Sequence, residues 1–452
     1  MSSLLSAQGD EGSTAAGEDK GTNSGLVAGR GSRSPWGIAS SIARGARRAL
    51  GDPRAIGVLR AGPRVAQFLA NSRRRSSFAD LDETIVPVRA TPGLAAQAYL
   101  DELLIAAFRH PDLLPAHNDY QPAAQELGAA RAMFADRGLL ADPSAYHPRP
   151  AAPDDLRATS HSGRALGYEH VTYTSEWEPA ADEPGRERWL HHQANRTAHA
   201  WIARTLGRDH GRWIICAHGF GMGSSAVMDL RAFRVGHLHR MGLNLAIPIM
   251  PLHGARASGR VRGEDLMTID MVDSMHGMAQ AVWDVRRLLR WLLEVEGAQQ
   301  VGIMGLSLGG LVAALCAAVE DDLACVIAGI PVVDLPDLFR RHSPPEVAVT
   351  AERFGVLGPA ADDVHRVVSP LAMECQVPFE RRYVFAGLGD RMSTFGQARR
   401  LWLHWDQPEL GAYAGGHIGF FWSGTVKRFV DRALTNSFGT VDWEPDTHLD
   451  EG

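Results

Sequence analysis

One serine, Ser307, stands in the pattern Gly-x-Ser-x-Gly between two apolar segments. Residues 301–306 have the composition of a buried strand, and residues 311–319 that of a buried helix. Glycine at positions 305 and 309 removes the Cβ atoms that would collide when the chain reverses around the serine. The hydroxyl is then exposed beside the first amides of the new helix, which can hold a developing oxyanion. The pattern predicts a nucleophile for acyl chemistry, and the alternative is a merely tight strand-to-helix turn.

Strand patterns alternate with helix patterns over most of the chain. Several of the strands are continuous apolar runs, which is typical of buried parallel strands. The predicted strands cover residues 168–177, 195–206, 212–217, 243–250, 301–306, 323–330, 382–386 and 409–413. The predicted helices cover residues 91–108, 123–138, about 270–295, 311–319, about 395–405 and about 424–434. This alternation predicts an α/β fold with a mostly parallel sheet that helices cover on both faces.

Four features then follow one another along the chain. His218-Gly219 comes directly after the strand 212–217, and the turn around Ser307 comes next. Asp390 stands just past the predicted strand 382–386, and His417 stands just past the last strand. In this order the features resemble the alpha/beta-hydrolase superfamily, over roughly residues 165 to 437. The resemblance implies a sheet of the alpha/beta-hydrolase type and a serine hydrolase.

The resemblance also implies roles for three side chains, with Ser307 as nucleophile, Asp390 as orienting acid and His417 as general base. A serine hydroxyl is a poor nucleophile near neutral pH, so a base must take its proton during attack. An imidazole suits this task, and a carboxylate holds its tautomer and stabilises the imidazolium. Asp334 also follows a strand and is the alternative acid. The loop 387–389, Gly-Leu-Gly, favours Asp390 because it can turn the carboxylate back toward His417.

The same resemblance assigns the oxyanion donors to the backbone amides of Phe220 and Leu308, with Gly221 keeping that loop free of side chains. Residues 331–380 lie where this fold places its lid. The side chains that we expect to line the substrate pocket are His218, Met222, Leu306 and Trp422.

The expected substrate is a small or lipid-like carboxylic ester with a modest apolar acyl group, rather than a peptide or a phosphoester. Two backbone amides at a helix start suit the single charge of a tetrahedral acyl intermediate. No metal-ligand cluster is evident in the sequence, and we expect no cofactor. His253 and Arg256 follow a strand, and both substrate contact and loop anchoring remain open for them.

Composition narrows the class of protein. The chain has 452 residues, a net charge of −6 and four cysteines, Cys216, Cys316, Cys325 and Cys375. An acidic balance gives no general reason to expect nucleic acid, and no apolar stretch reaches the roughly 20 residues of a membrane span. The cysteines lack metal-ligand spacing. We therefore expect reduced thiols in a cytoplasmic protein.

The organisation that we predict has four parts. Residues 1–75 form a disordered, arginine-rich arm, and residues 76–150 form a helical extension packed on the main domain. Residues 151–437 form the hydrolase domain, and residues 438–452 a tail. The sequence has a faint resemblance to an alpha/beta-hydrolase-domain subgroup with an N-terminal extension. Within the arm, residues 36–50 could form a helix that contacts an anionic membrane weakly, and a solvated arm is the alternative.

Three rival interpretations use the same residues. The glycines at 219, 221 and 223 could admit a dinucleotide, but the third glycine of that fingerprint would fall at position 224, which is serine. A catalytically silent hydrolase fold could serve as an interaction module. A working triad could also cleave thioesters, catalyse perhydrolysis or transfer the acyl group to an acceptor other than water, because all of these proceed through one acyl-enzyme.

Overall fold

The computed structural model describes residues 53–75, 89–108, 114–162, 167–205, 211–259 and 263–439. The predicted helix at 36–50 lies outside these described residues, as does the part of the predicted tail that follows residue 439.

A nine-stranded sheet forms the centre of the molecule, in the spatial order β1-β2-β3-β5-β4-β6-β7-β8-β9. The strands from β4 to β9 are parallel to one another, whereas β1, β2 and β3 pair antiparallel and β3 is also antiparallel to β5. The strands are β1 Arg157–His161, β2 Tyr168–Thr174, β3 Thr197–Ala203, β4 Arg212–Ala217, β5 Asn244–Ile249, β6 Gln300–Leu306, β7 Leu323–Gly329, β8 Arg382–Gly387 and β9 Glu409–Tyr413. The predicted α/β fold with a mostly parallel sheet is confirmed, and only β1 was not predicted.

Helices cover both faces of this sheet. They are α1 Pro53–Arg75, α2 Pro92–Phe108, α3 Tyr120–Asp136, α4 Arg186–Leu190, α5 Ala226–Ala232, α6 Val235–Arg240, α7 Met271–Glu294, α8 Leu308–Val319, α9 Leu335–His342, α10 Pro345–Phe354, α11 Pro359–Val364, α12 Thr394–His404 and α13 Gly424–Phe438. One buried cluster joins the sheet to α3, α7, α8 and α12, and the other joins it to α5, α6 and α13. Burying apolar area on two faces stabilises the parallel strands, whose own side chains are apolar on both sides.

The strand register brings four loops to one edge of the sheet. Ala217 at the end of β4 pairs with Gly305 of β6, and Leu306 of β6 pairs with Gly329 of β7. Gly387 at the end of β8 pairs with Tyr413 at the end of β9. Because these strands are parallel, the segments that follow them leave the sheet on the same side.

The predicted disordered arm is wrong for residues 53–75, which form helix α1. Ala61 and Val65 of this helix are buried, and it packs against α2. Arg64 Nη1 donates to Glu102 Oε2 at 3.1 Å. Alternating small and apolar residues among the arginines thus give α1 one face for packing, and a count of charge alone does not reveal this face.

Truncations that end before and after α1 should behave differently. Deletion of residues 1–52 is expected to leave ester turnover and the melting temperature unchanged. Deletion of residues 1–75 also removes the buried face of α1, worth about 2 kcal/mol, and should lower the melting temperature by about 2 to 4 °C. Scanning calorimetry of both truncated proteins checks this. Equal melting temperatures for the two would mean that α1 adds nothing to the stability of the domain.

The four cysteines carry free thiols, with Cys216, Cys316 and Cys325 buried and Cys375 half-buried. Burial raises the pKa of the Cys325 thiol to about 12, so this thiol is neutral and unreactive at ordinary pH.

Within the part of the chain that the structure describes, no helix is both long enough and apolar enough to cross a membrane.

Candidate active site

Ser307 lies at the junction of β6 and α8 in a backbone conformation that is unusual for a residue with a side chain, with φ 58° and ψ −113°. Its amide donates to the carbonyl of Gly329 at 2.9 Å, and its carbonyl accepts from the amide of Val332 at 3.1 Å. A Cβ at Gly305 would collide with the carbonyl of Gly309, and one at Gly309 would collide with that of Ala217. The two glycines therefore permit the tight turn, and hydrogen bonds to the β7 segment hold the strained serine in place.

His417 and Asp390 form a buried pair beyond the ends of β9 and β8. Nδ1 of His417 lies 2.7 Å from Oδ2 of Asp390, and each residue is 5% exposed. The other carboxylate oxygen, Oδ1, accepts from the amides of Met392 at 2.8 Å and Ser393 at 3.0 Å. Ser393 Oγ lies 3.1 Å from Asp390 Oδ2. These contacts fix the carboxylate in the orientation in which it accepts a hydrogen bond from Nδ1–H of the imidazole.

The electrostatic surroundings of His417 favour its charged form. Burial acts against the imidazolium, but the charge and hydrogen bond of Asp390 outweigh this, and the charge of Asp101 acts in the same direction. The pKa of His417 is therefore raised above its ordinary value. An imidazole with this bias accepts a proton readily, as a general base must.

Asp334, the alternative acid, is engaged elsewhere. Its Oδ1 accepts from the amide of Asp337 at 2.8 Å and so caps the start of α9. Its Oδ2 accepts from Arg400 Nη1 at 2.8 Å. The structure thus pairs His417 with Asp390 and gives Asp334 a role in the α9–α12 contact.

The loop after β4 passes directly beside Ser307. A Cβ on Gly219 would lie 3.2 Å from the carbonyl of Leu306 and 3.6 Å from Cβ of Ser307. Gly221 has φ 83°, a left-handed conformation that suits glycine. As the first residue of α8, Leu308 has an amide without a helical carbonyl partner. Phe220 and Leu308 line the same cavity as Ser307, and Gly221 follows Phe220 in the loop after β4.

A mostly apolar cavity of about 200 Å³ opens beside the serine. Ser307, Leu308 and Phe220 form one end of its wall. The rest of the wall comes from the N-terminal extension, the segment before α7 and the segment after β7. Helices α9 and α10 with their flanks, and the loop after β8 that carries Asp390 (the acid loop), complete it. The apolar side chains among these are Ile105, Leu114, Pro115, Met267, Ile269, Met271, Val332, Leu338, Phe339, Pro344, Val347, Ala351, Val356, Leu357 and Met392.

Sequence comparison finds close relatives. The chain is 37% identical over 356 residues to the uncharacterized protein MT2702 of Mycobacterium tuberculosis strain CDC 1551, covering 78% of this chain and 84% of that protein. It is 36% identical over the same length and coverage to the uncharacterized protein Rv2627c of strain H37Rv. The chain belongs to the family of these two proteins. No protein-family model matches the sequence.

Solved structures to which the chain is similar include two esterases. The acetyl xylan esterase from Paenibacillus sp. R4 has a TM-score of 0.45 at 15% identity, covering 67% of this chain and 94% of that one. The esterase Pf2001 of Pyrococcus furiosus has a TM-score of 0.41 at 17% identity, covering 63% of this chain and 98% of that one. A strained serine between strand and helix, and the chain order Ser307, Asp390, His417, are features of the alpha/beta-hydrolase fold.

The four side chains that we assigned to the substrate pocket do not line the cavity. His218 is fully buried, with Nε2 accepting from the amide of Met250 at 3.1 Å and Nδ1 2.9 Å from the carbonyl of Gly219. Leu306 and Met222 pack into the cluster on the opposite face of the sheet, and Trp422 is 66% exposed. Leu306 ends β6, and alternation along this strand turns its side chain to the opposite face of the sheet. The lid and the N-terminal extension supply the cavity wall instead.

His253 and Arg256 anchor a loop rather than contact the cavity. Arg256 is fully buried and bonds to Asp284 Oδ2 at 2.8 Å, the carbonyl of Ile249 at 2.9 Å and the carbonyl of Asn195 at 2.8 Å. Burial lowers the pKa of His253 to about 3, so its imidazole is neutral and cannot contribute charge to the site.

Sequence reasoning missed two polar residues of α2 that hold the loop after β9 that carries His417 (the base loop). Asp101 Oδ2 accepts from the amide of His417 at 2.7 Å, and Gln97 Oε1 accepts from the amide of Gly416 at 2.9 Å. The two residues are four positions apart and so lie on one face of the helix. The few polar residues of this mostly apolar helix were the available signal, but the partners of Gln97 and Asp101 lie more than 300 residues away in the chain.

Among the described residues, one acidic group has the spacing of a metal site, formed by Glu320, Asp321 and Asp322. Glu320 already pairs with Arg286 at 2.5 Å and with Arg290 at 2.8 Å. These two buried guanidinium groups compensate its charge, so the geometry does not favour a cation there.

Proposed function

We propose that this protein is a serine hydrolase that cleaves a carboxylic ester through an acyl-enzyme. The observation that carries the proposal is the position of Ser307, strained at a strand-to-helix turn on the wall of an apolar cavity, with the His417–Asp390 pair on the same edge of the sheet. A nucleophile, a base that a carboxylate orients, and amides at a helix start are the parts that acyl transfer needs.

In the first half of the reaction, Ser307 Oγ attacks the ester carbonyl while Nε2 of His417 takes its proton. Asp390 accepts a hydrogen bond from Nδ1–H of His417 and stabilises the imidazolium that forms. The carbonyl oxygen becomes an oxyanion, which the amides of Leu308 and Phe220 stabilise together with the positive end of the α8 dipole. The carbon–oxygen bond to the alcohol then breaks, and His417 returns the proton to the departing alkoxide.

In the second half, water enters where the alcohol left. His417 takes a proton from that water, and the resulting hydroxide attacks the acyl carbon of the Ser307 ester. The tetrahedral intermediate collapses, the serine oxygen leaves with the proton from His417, and the carboxylic acid is released. A thiol, peroxide or second alcohol in place of water would give the related acyl-transfer reactions by the same steps.

The apolar wall of the cavity favours a substrate with an apolar acyl group. Its wall is mostly aliphatic and aromatic, and the lid helices α9 and α10 contribute Leu338, Phe339, Val347 and Ala351. An apolar pocket discriminates weakly, at about 1 to 3 kcal/mol per methylene. We therefore expect a broad optimum over short and medium acyl chains in a panel of p-nitrophenyl esters.

Val347→Phe is expected to shift this optimum toward shorter chains. Val347 lines the cavity, so the larger ring occupies space that a longer acyl group needs. Turnover of the longest accepted ester should fall by about tenfold or more relative to the acetate ester. Val349→Phe is the matched control, because Val349 lies on the same helix but is 64% exposed, and its chain-length profile should equal that of the wild type.

Equal profiles for Val347→Phe and Val349→Phe would contradict acyl binding in this cavity. Cleavage of a peptide amide without turnover of any p-nitrophenyl acyl ester would refute the ester substrate itself.

A further inference from the structure

Asp101 is a buried carboxylate that contacts the loops of both His417 and Asp390. Its Oδ2 accepts from the amide of His417 at 2.7 Å and from the amide of Arg391 at 3.1 Å, and the residue is 0% exposed. Asp101 Oδ1 is also buried and accepts no hydrogen bond from any described residue. One carboxylate from the N-terminal extension thus joins two loops that follow different strands.

Glycines in both loops let helix α2 approach this closely. A Cβ at Gly416 would lie 2.8 Å from Asp101 Oδ2, and a Cβ at Gly389 would collide with Leu94. A Cβ at Gly419 would collide with Gln97. The glycines around His417 therefore allow a direct contact between its loop and helix α2.

We propose that Asp101 is a positioning residue for the His417–Asp390 pair, which holds both loops and, as an ionised carboxylate, stabilises the imidazolium of His417. The proposal rests on the proposed function in that His417 is taken as the base. The proposal goes further because it assigns part of the basicity of His417 to the N-terminal extension. This extension lies outside the strands and loops that supply His417 and Asp390.

The titratable groups around Asp101 come from five elements. Asp390 and Arg391 face it from the acid loop, His417 from the base loop, Tyr413 from β9, and Glu102 and Arg64 from α2 and α1. Burial, then the charge of Asp390, raises the pKa of Asp101 to about 6, against the lowering effect of His417 and the two backbone hydrogen bonds. Asp101 is therefore ionised above about pH 6 and neutral below it.

The direction of this shift has a consequence for stability. The pKa of Asp101 is higher in the folded chain than in the unfolded one, so the unfolded state binds fewer protons at pH values between the ordinary pKa of 3.8 and about 6. Stability then falls as pH rises through that window, and the ionised carboxylate is a cost to folding at higher pH. The ionised Asp101 thus lowers the stability of the folded chain. A structural role alone does not explain such a group, whereas an effect on the imidazolium of His417 does.

Glu102 provides a matched control at the next position. It is 3% exposed and pairs with Arg64 at 3.1 Å and with Arg391 at 3.2 Å. Its charge is not among those that raise the pKa of His417, whereas that of Asp101 is. Asp101→Asn and Glu102→Gln thus each remove one buried negative charge from the same helix, but only the first removes one that acts on His417.

The test measures the pKa of the His417 imidazole by NMR in the full-length protein, with His417→Gln to assign the signal. Asp101→Asn should lower this pKa by about one unit and leave the melting temperature at pH 8 equal to or above that of the wild type. Glu102→Gln should leave the pKa of His417 unchanged. Asp101→Glu keeps the negative charge, so the pKa of His417 in this variant should lie closer to the wild-type value than to that in Asp101→Asn. The rate of fluorophosphonate labelling of Ser307 should fall about tenfold at its plateau in Asp101→Asn, with its acid limb moved to lower pH.

Two results would overturn the proposal. The first is an unchanged pKa of His417 in Asp101→Asn, and the second is an equal shift in Glu102→Gln. The NMR titration needs no substrate and no reactive serine, so it separates this inference from the proposed function. A wild type that the probe does not label at Ser307 would refute the hydrolase, whereas the titration would still decide whether Asp101 acts on His417.

Discussion

Ser307→Ala is expected to abolish covalent labelling by a fluorophosphonate probe and to lower ester turnover by about 10⁶, the loss that follows removal of the nucleophile in a well-studied protease. The physical reason is the position of this hydroxyl. The turn from β6 to α8 holds it in a strained conformation on the cavity wall, beside the first amide of the helix. An alanine there keeps the turn and the cavity but has no oxygen to form the acyl bond.

Two other serines on the cavity wall serve as controls for this experiment. The Ser343→Ala protein should be labelled at the wild-type rate. Ser343 lines the cavity among the lid helices, so its loss leaves the nucleophile Ser307 in place. Ser393→Ala should still label at Ser307 but more slowly, since Ser393 Oγ lies 3.3 Å from His417 Nδ1 and 3.1 Å from Asp390 Oδ2. Mass spectrometry of the labelled peptide identifies the modified residue. A label that survives in Ser307→Ala would end the serine hydrolase interpretation.

Asp390→Asn is expected to lower turnover by about 10⁴ while the protein stays folded. The carboxylate oxygen Oδ1 accepts from two backbone amides, those of Met392 and Ser393. An asparagine oxygen would keep these two bonds, so its NH₂ group would face Nδ1 of His417. Nδ1 would then have to accept a hydrogen bond rather than donate one, and the imidazole proton would reside on Nε2. An imidazole in that tautomer cannot take the proton of Ser307.

Asp334→Asn is the comparison variant for this change. Asp334 caps α9 and pairs with Arg400, so its loss should lower the melting temperature slightly and leave turnover within about twofold. Turnover of p-nitrophenyl esters by both purified variants, with circular dichroism as a check of folding, decides the assignment. Full activity in Asp390→Asn together with an inactive Asp334→Asn would reverse it.

Local patterns in the sequence determined most of the sheet and the chain positions of the candidate triad. Buried parallel strands are continuous apolar runs, so β4, β5, β6, β7 and β8 could be predicted within a residue or two of their observed ends. The glycines around Ser307 could be read correctly because the collisions they avoid involve residues only a few positions away or in the neighbouring strand. Asp390 and His417 could be located because each follows a strand directly, and strand ends gather at one edge of a parallel sheet.

Only the tertiary structure decided what surrounds these residues. The cavity wall combines the N-terminal extension with the lid, from Ile105 to Met392, and no local periodicity relates such distant segments. The residues next to the motifs from which we predicted the pocket, such as Leu306, do not line this cavity, because neighbours in a strand point to opposite faces of the sheet. Asp101 and His417 lie 316 positions apart in the chain. Their contact arises from the packing of α2 on two loops, and the free energy of that packing depends on surfaces that exist only after the sheet has formed.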